Sequence, residues 1–147
     1  MANITYDTDD VLSAGGGNQE HRRAGESLGV GVPVYVDATG KVKAADAGAA
    51  TAAEAAATHI TLTAAAEGQP ITIQRGGRID YGADVFTPGV AYVVADGGGI
   101  APIEDLAEED VYLTLVGAAA TSSLLLVAVL ASGSKVPVTP PPPPEPE

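Results

Sequence analysis

Residues 71–102 read ITIQRGGRIDYGADVFTPGVAYVVADGGGIAP, and this stretch decides the fold class. Ile71 and Ile73 alternate with polar neighbours, the pattern of a strand with one buried face. Gly76 and Gly77 then form a two-residue hairpin signal, because glycine accepts positive φ at both central positions, and residues 78–81 are the expected return strand. After Thr87-Pro88-Gly89 a second alternation, GVAYVVADGGGI, occupies residues 89–100. It matches GVPVYVDATGKV, residues 31–42, in its opening Gly-Val, a valine at the sixth position, a late glycine and a branched aliphatic near the end. One hairpin type is used twice.

The same rhythm continues on either side. Val32, Val34 and Val36 alternate with other residues, and Asp37-Ala38-Thr39-Gly40 fits a turn that opens on Asp and closes on Gly. HITLT, residues 59–63, puts Ile60 and Leu62 on one face. VYLTLVG, residues 111–117, alternates Val111, Leu113 and Leu115 with Tyr112, Thr114 and Val116, and AAATSS leads into a last strand over 124–130. About eight short strands with turns every ~8–12 residues predict an all-β fold, a small β-sandwich or β-barrel. No βαβ rhythm is present. The alanine-rich residues 44–59 predict a short helix or a loop across the sheet, and IEDLAEED, residues 103–110, a single helical turn. Residues 1–28 have no sustained period and are expected to form an irregular, flexible N-terminal arm. Residues 29–133 are the predicted β domain, and residues 134–147 a disordered proline-rich tail of extended polyproline conformation outside the fold.

Composition narrows the functional classes. A chain of 147 residues holds one ordinary domain plus tails. With no Trp, one Phe and five Tyr, the core is expected to be built from Val, Ile, Leu and Ala. The net charge is −12, and the seven Lys and Arg residues are scattered along the chain. Nucleic-acid binding needs clustered positive charge that releases counterions from phosphates, so no nucleic-acid partner is expected. The absence of cysteine removes disulfides, thiolate metal sites and a Cys nucleophile. The N-terminus lacks the basic and apolar regions of a secretory signal. LLLVAVLA, residues 124–131, falls short of the ~20 residues a spanning helix requires and reads as a buried strand, so no membrane partner is expected.

Residues with catalytic potential are few. His21 and His59 are the only histidines. Ser27, His59 and Asp80 make a triad on paper, but no nucleophile-elbow pattern accompanies them, and both histidines read as ordinary surface residues. The glycine triplets at 15–17 and 97–99 lack the following Lys-Ser/Thr of a phosphate loop and read as loops. Glu104, Asp105, Glu108, Glu109 and Asp110 could attract Ca²⁺, yet lack the spaced Asp/Asn-Gly pattern of a dedicated site and read as a solvated acidic turn. The expectation is a protein that is not an enzyme and carries no cofactor or metal. Arg75 and Arg78, flanking the Gly-Gly turn, either anchor an acidic partner surface or keep an exposed hairpin soluble.

TLTAAAEGQPITIQRGGRIDYGA, residues 61–83, and GVAYVVADGGGIAPIEDLAEEDVYLTLVGAAATSSLLLVAVLASG, residues 89–133, resemble the decoration, or cement, proteins of tailed-bacteriophage capsids. Members of that group commonly show a Gly-x-x-Val/Ile-x-Val/Ile strand, a Tyr-Val-x strand ending at Gly-Gly-Ile-Ala-Pro, and a Val-Gly-Ala turn into an aliphatic last strand. The likeness covers residues 31–133. It implies a structural virion protein, made in the host cytoplasm, that sits on the outer surface of the capsid and bridges major capsid protein subunits. It also implies an oligomer, with a homotrimer favoured and a dimer as the alternative. On that reading Ile4, Tyr6, Val11 and Leu12 of the arm and the rim at Arg75 and Arg78 are the expected capsid contacts, and Leu124 and Leu126 the expected subunit interface. The alternative is a carbohydrate- or cell-surface-binding β domain of a virion or bacterial surface protein, which calls for exposed aromatic platforms.

Overall fold

The computed structural model of the chain describes residues 3–96, 98–106 and 111–135. It is an all-β sandwich of two packed antiparallel sheets. The strands are β1 (Leu12–Gly15), β2 (Asn18–Arg23), β3 (Pro33–Val36), β4 (Val42–Ala44), β5 (His59–Thr61), β6 (Pro70–Arg75), β7 (Arg78–Asp80), β8 (Ala91–Val94), β9 (Ile100–Pro102), β10 (Tyr112–Ala119) and β11 (Leu124–Lys135). One sheet has the order β1-β7-β11-β10-β8-β9 and the other β2-β6-β5-β3-β4. The alanine-rich segment is mostly loop, with one helical turn, α1 (Ala52–Ala55), capped by Thr51. Ile103–Leu106 forms a 3-10 turn where the helical turn was expected. The proline tail from residue 136 onward lies outside the described residues.

The twice-used hairpin is the visible part of a larger internal repeat. Val36↔Val42, Tyr35↔Lys43 and Val34↔Ala44 pair in β3–β4 as Val94↔Ile100, Val93↔Ala101 and Tyr92↔Pro102 pair in β8–β9. The correspondence extends to the next strand, since Val34↔His59 and Pro33↔Ile60 match Tyr92↔Gly117 and Ala91↔Ala118. It then reaches the last strand of each half, where Ile60↔Gln74 and Thr61↔Ile73 match Ala118↔Leu126 and Ala119↔Leu125. It closes on the first strand, Gln19↔Gln74 and Glu20↔Ile73 matching Arg78↔Leu126 and Ile79↔Leu125. The order β2-β6-β5-β3-β4 is therefore that of β7-β11-β10-β8-β9, with β1 added at the edge beside β7. Two five-stranded units of one topology face each other across the core.

The two units join at a corner that corrects the reading of Gly76-Gly77. β6 and β7 do not pair as a hairpin: β6 lies between β2 and β5, β7 between β1 and β11, and the two glycines carry the chain from one sheet to the other. Gly15, Gly16 and Gly17 make the same transfer between β1 and β2, alongside the first. All five glycines have positive φ. A Cβ on Gly17 would lie 2.5 Å from the Gly76 carbonyl oxygen, and one on Gly77 would lie 2.5 Å from the Gly16 carbonyl carbon. Both constraints, handedness and space, exclude a side chain. Gln74, fully buried, ties the corner together: its Oε1 accepts from Ser13 Oγ at 2.7 Å, and its Nε2 donates to the carbonyls of Gly76 at 2.9 Å and Arg78 at 3.3 Å.

Residues 3–28 are not a free arm, which corrects a second expectation. β1 and β2 belong one to each sheet, β2 pairing along its whole length with β6. Their polar sequence concealed this, because β2 is an edge strand with almost every side chain in solvent and so carries no hydrophobic period. Among the described residues there are eleven strands where about eight were expected, β1 and β2 lying in the segment read as an arm. Ahead of β1, the Ile4 N–H donates to the Ile100 carbonyl at 2.9 Å, and Val11 is buried in the main core. Tyr6 stands edge-on to Tyr81 at 5.0 Å, Tyr81 to Phe86 at 5.2 Å, and Phe86 to Tyr92 at 4.9 Å. The scarce aromatics are concentrated in one ladder, so the main core is not purely aliphatic. Tyr6 and Tyr81 close it with hydroxyls donated to the carbonyls of Val30 at 2.7 Å and Gly31 at 2.8 Å.

The corner gives a stability test. Gly77→Ala, which adds left-handed strain to a backbone collision, is expected to cost about 2–4 kcal/mol in denaturant unfolding. Gly68→Ala, with φ of +82° and no atom within 4 Å of the added Cβ, is expected to cost about 1 kcal/mol. Equal costs would contradict the account of the corner. Tyr6→Ala is expected to lose about 2–4 kcal/mol by removing one end of the aromatic ladder, and an unchanged melting temperature would return residues 3–11 to the status of an arm.

Candidate functional site

β11 is apolar on both faces. Leu125 and Val127 point into the core, while Leu124, Leu126, Ala128 and Leu130 alternate outward. The reading of this strand as buried therefore holds for one face only. Opposed residues in antiparallel strands share a face, so the ladders place Leu12, Asp80 and Leu124 in one outward row and Arg78, Leu126 and Ala118 in the next. Leu12 is 65% exposed, Leu126 41% and Leu130 67%. Further along, Leu115 stands opposite Leu130, and Ile103, Leu113, Leu115, Leu130, Ala131 and Ser132 line an apolar groove of about 330 Å³. The outer face of the six-stranded sheet is thus a leucine surface with Arg78 within it.

This geometry sorts the expected contact residues. Leu12 and Arg78 share the outer face with Leu124 and Leu126, a juxtaposition that only the ladder reveals because β1 enters the sheet beside β7. Arg75 is exposed but sits on β6 in the other sheet, opposite Asn18, so the two arginines flank the corner from different sheets. Ile4, Tyr6 and Val11 are corrected as capsid contacts of a free arm: they are packed against or within this chain's own core. Exposed Ile103 and Leu130 were missed, as was the groove they line with the half-buried Leu113 and Leu115. Their alternation was legible, but not which face the partner sheet leaves uncovered.

His59 is not the surface residue expected. It is 5% exposed on β5, its Nδ1 is 2.7 Å from Thr58 Oγ1, and its Nε2 approaches Glu20 Oε1 at 3.5 Å without a hydrogen bond. Burial lowers its pKa below the ordinary 6.5, against the opposing pull of the Glu20 carboxylate. Glu20 is held below its ordinary 4.5, chiefly by the hydrogen bond from Arg22 Nε at 3.0 Å and then by His59. The partners of His59 are Thr58 and Glu20, neither belonging to the paper triad with Ser27 and Asp80. His21 is exposed, with Nδ1 3.0 Å from Thr72 Oγ1.

The remaining sequence candidates take ordinary places. Gly15, Gly16 and Gly17 form the sheet corner, and Gly98 and Gly99 lie in the β8–β9 turn, where Asn3 Nδ2 donates to the Gly98 carbonyl at 3.1 Å. Gly97 lies outside the described residues. Of the acidic run, Glu104 and Asp105 lie in the 3-10 turn, while Glu108, Glu109 and Asp110 are also outside the described residues. Among the described residues no three His, Asp or Glu side chains gather as a metal set. In comparisons with known proteins, no family model and no curated protein matches the chain.

The His59–Glu20 contact gives a pH test. Because the folded histidine binds its proton less readily than the unfolded one, stability is complete above 6.5 and falls as pH drops through that value. Glu20 has a depressed folded pKa, so its contribution is present above 4.5 and lost below it. The melting temperature is expected to fall from about pH 7 to about pH 5, and His59→Gln to flatten that decline. A variant with the wild-type slope would remove His59 as its source.

Proposed function

We propose that the chain is a structural virion protein that binds the outer surface of a tailed-phage capsid and stabilises the shell by bridging major capsid protein subunits. The observation that carries this reading is the leucine surface around Leu12, Arg78, Leu124 and Leu126 on an otherwise strongly acidic chain. An exposed leucine-rich face of this kind, with Arg78 and Asp80 set among its leucines, fits a binding protein, and bridging a shell requires area and shape rather than a reactive group. The resemblance of residues 31–133 to capsid decoration proteins supplies the partner. It implies a position on the virion exterior after synthesis in the host cytoplasm, as an oligomer for which it favours three copies. The role is non-catalytic and uses no cofactor. The carbohydrate-binding alternative has weaker support, since Tyr6, Tyr81, Phe86 and Tyr92 are stacked against one another instead of forming a platform.

The binding surface is the β body rather than a free N-terminal segment. Cosedimentation with undecorated shells of the cognate coat protein tests this. The wild-type chain is expected to bind, and Leu12→Asp and Arg78→Glu to weaken binding by roughly tenfold or more, with unchanged melting temperature because both side chains are exposed. Arg23→Glu, on β2 of the other sheet, is the control expected to bind normally. Absence of wild-type binding would overturn the function; full binding by both face variants would move the contact elsewhere.

A further inference from the structure

The last strand of each repeat unit ends differently. By register, Gln74 of β6 corresponds to Leu126 of β11, and Arg75 to Val127. After Arg75 the first unit turns through Gly76-Gly77 into the opposite sheet. After Val127 the second unit continues in strand to Lys135, with irregular pairing to β10 between Val127 and Leu130 and again beyond Ala131, past the end of its neighbour β7, which pairs with β11 only at residues 124–126. The Val127 N–H still donates to the Gly77 carbonyl at 2.8 Å. Beyond it, the β7-side edge of residues 128–131 has no ladder partner among the described residues, and Gly133, with φ of +74°, ends the clean strand.

Other strand edges among the described residues are covered or blunted. β9 is met by the Ile4 N–H, and β4 by Gly25, whose N–H donates to the Val42 carbonyl at 2.7 Å, and by Glu26, which accepts from the Ala44 N–H at 2.8 Å. β2 presents Glu20, His21, Arg22 and Arg23, and β1 is four residues long with an irregularity before Gly15. Charge, shortness and bulges are the devices by which sheets avoid edge pairing; residues 128–131 carry no charge, and the irregularity between Val127 and Leu130 lies in the pairing with β10, on the other side of the strand.

We propose that this open edge of β11 pairs with the same edge of a second copy, antiparallel, about a two-fold axis perpendicular to the sheet. Such an axis keeps both leucine surfaces on one side and makes one continuous sheet of the two. The charge distribution selects a second copy as the occupant. Two chains of net charge −12 repel over most of their surface, whereas residues 124–134, LLLVAVLASGS, carry no charge. An antiparallel strand edge is also complementary to itself, as a two-fold contact requires. A closed ring of three would need β11 to meet a different edge, whereas one edge meeting itself closes at two copies, so the pairing forms dimers in place of the trimer that the resemblance favours. The proposal goes beyond the shell-binding reading and does not depend on it.

The test uses the free protein, so its failure is distinct from failure to bind shells. Light scattering of the full chain is expected to give a dimer at micromolar concentration, and Leu130→Lys to weaken dimerisation by roughly tenfold or more with an unchanged melting temperature. Ala128→Lys serves as a second variant at an exposed position. The chain has no cysteine, so one introduced singly reports without background. Val129→Cys or Leu130→Cys is expected to give a covalent dimer on mild oxidation, and Ala118→Cys on β10 is not. Removing residues 136–147 is expected to leave the dimer intact. A trimer, a monomer up to millimolar concentration, or a dimer insensitive to both lysine variants would overturn the pairing. A dimer that appears only after residues 136–147 are removed would assign the edge to the chain's own terminus. A monomer whose shell binding is lost on Leu130→Lys would assign it to a coat strand.

Discussion

The close passage of two chain segments through one corner is the constraint on which the sandwich depends. The β1–β2 connection passes from the six-stranded sheet to the five-stranded one and the β6–β7 connection passes back beside it, so their backbones lie against each other where both change sheets. Only glycine fits that separation and that handedness. Gln74 supplies the polar counterpart, a fully buried amide whose oxygen and nitrogen are both engaged at the corner. An unsatisfied amide at that depth would be costly, so the hydrogen bonds that satisfy it also specify how the two crossings sit.

From this corner the repeat acquires its sense. Two units with matching registers need a single handover between sheets, and β6 makes it. β11, the equivalent strand of the second unit, does not cross at the matching point and continues as a strand beyond its neighbour. The overhang and its apolar outer face coincide with the uncharged part of an acidic chain. Packing inside the sandwich and association outside it use the two faces of the same strand. Leu125 and Val127 serve the first, and Leu126 and Leu130 are available to the second.

His59 and Glu20 show the other side of the same economy. His59 is on β5, Glu20 on β2, and β6 lies between them, so the pair bridges over an intervening strand. The contact adds a pH-sensitive link between the polar N-terminal strand and the rest of its sheet. Residues 18–23 are thereby tied to the fold by ladder hydrogen bonds and by a titratable contact, despite contributing little to either apolar cluster.

By itself the sequence determined the all-β class, the β3–β4 and β8–β9 hairpins and the inward faces of most strands, because alternation and turn chemistry are local signals. Val34, Ile60, Ile71 and Ile73 are buried as their spacing required. It also showed the repeat in outline through the match of residues 31–42 with 89–100. Only the tertiary structure decided that Gly76-Gly77 is a crossing and not a hairpin, since the same positive φ values serve both and the difference lies in which strands flank them. The places of Tyr6, Val11, β1 and β2 likewise depended on partners distant in sequence. So did the outer leucine surface: alternation on β11 shows two apolar faces, and which one meets the opposite sheet follows from packing alone.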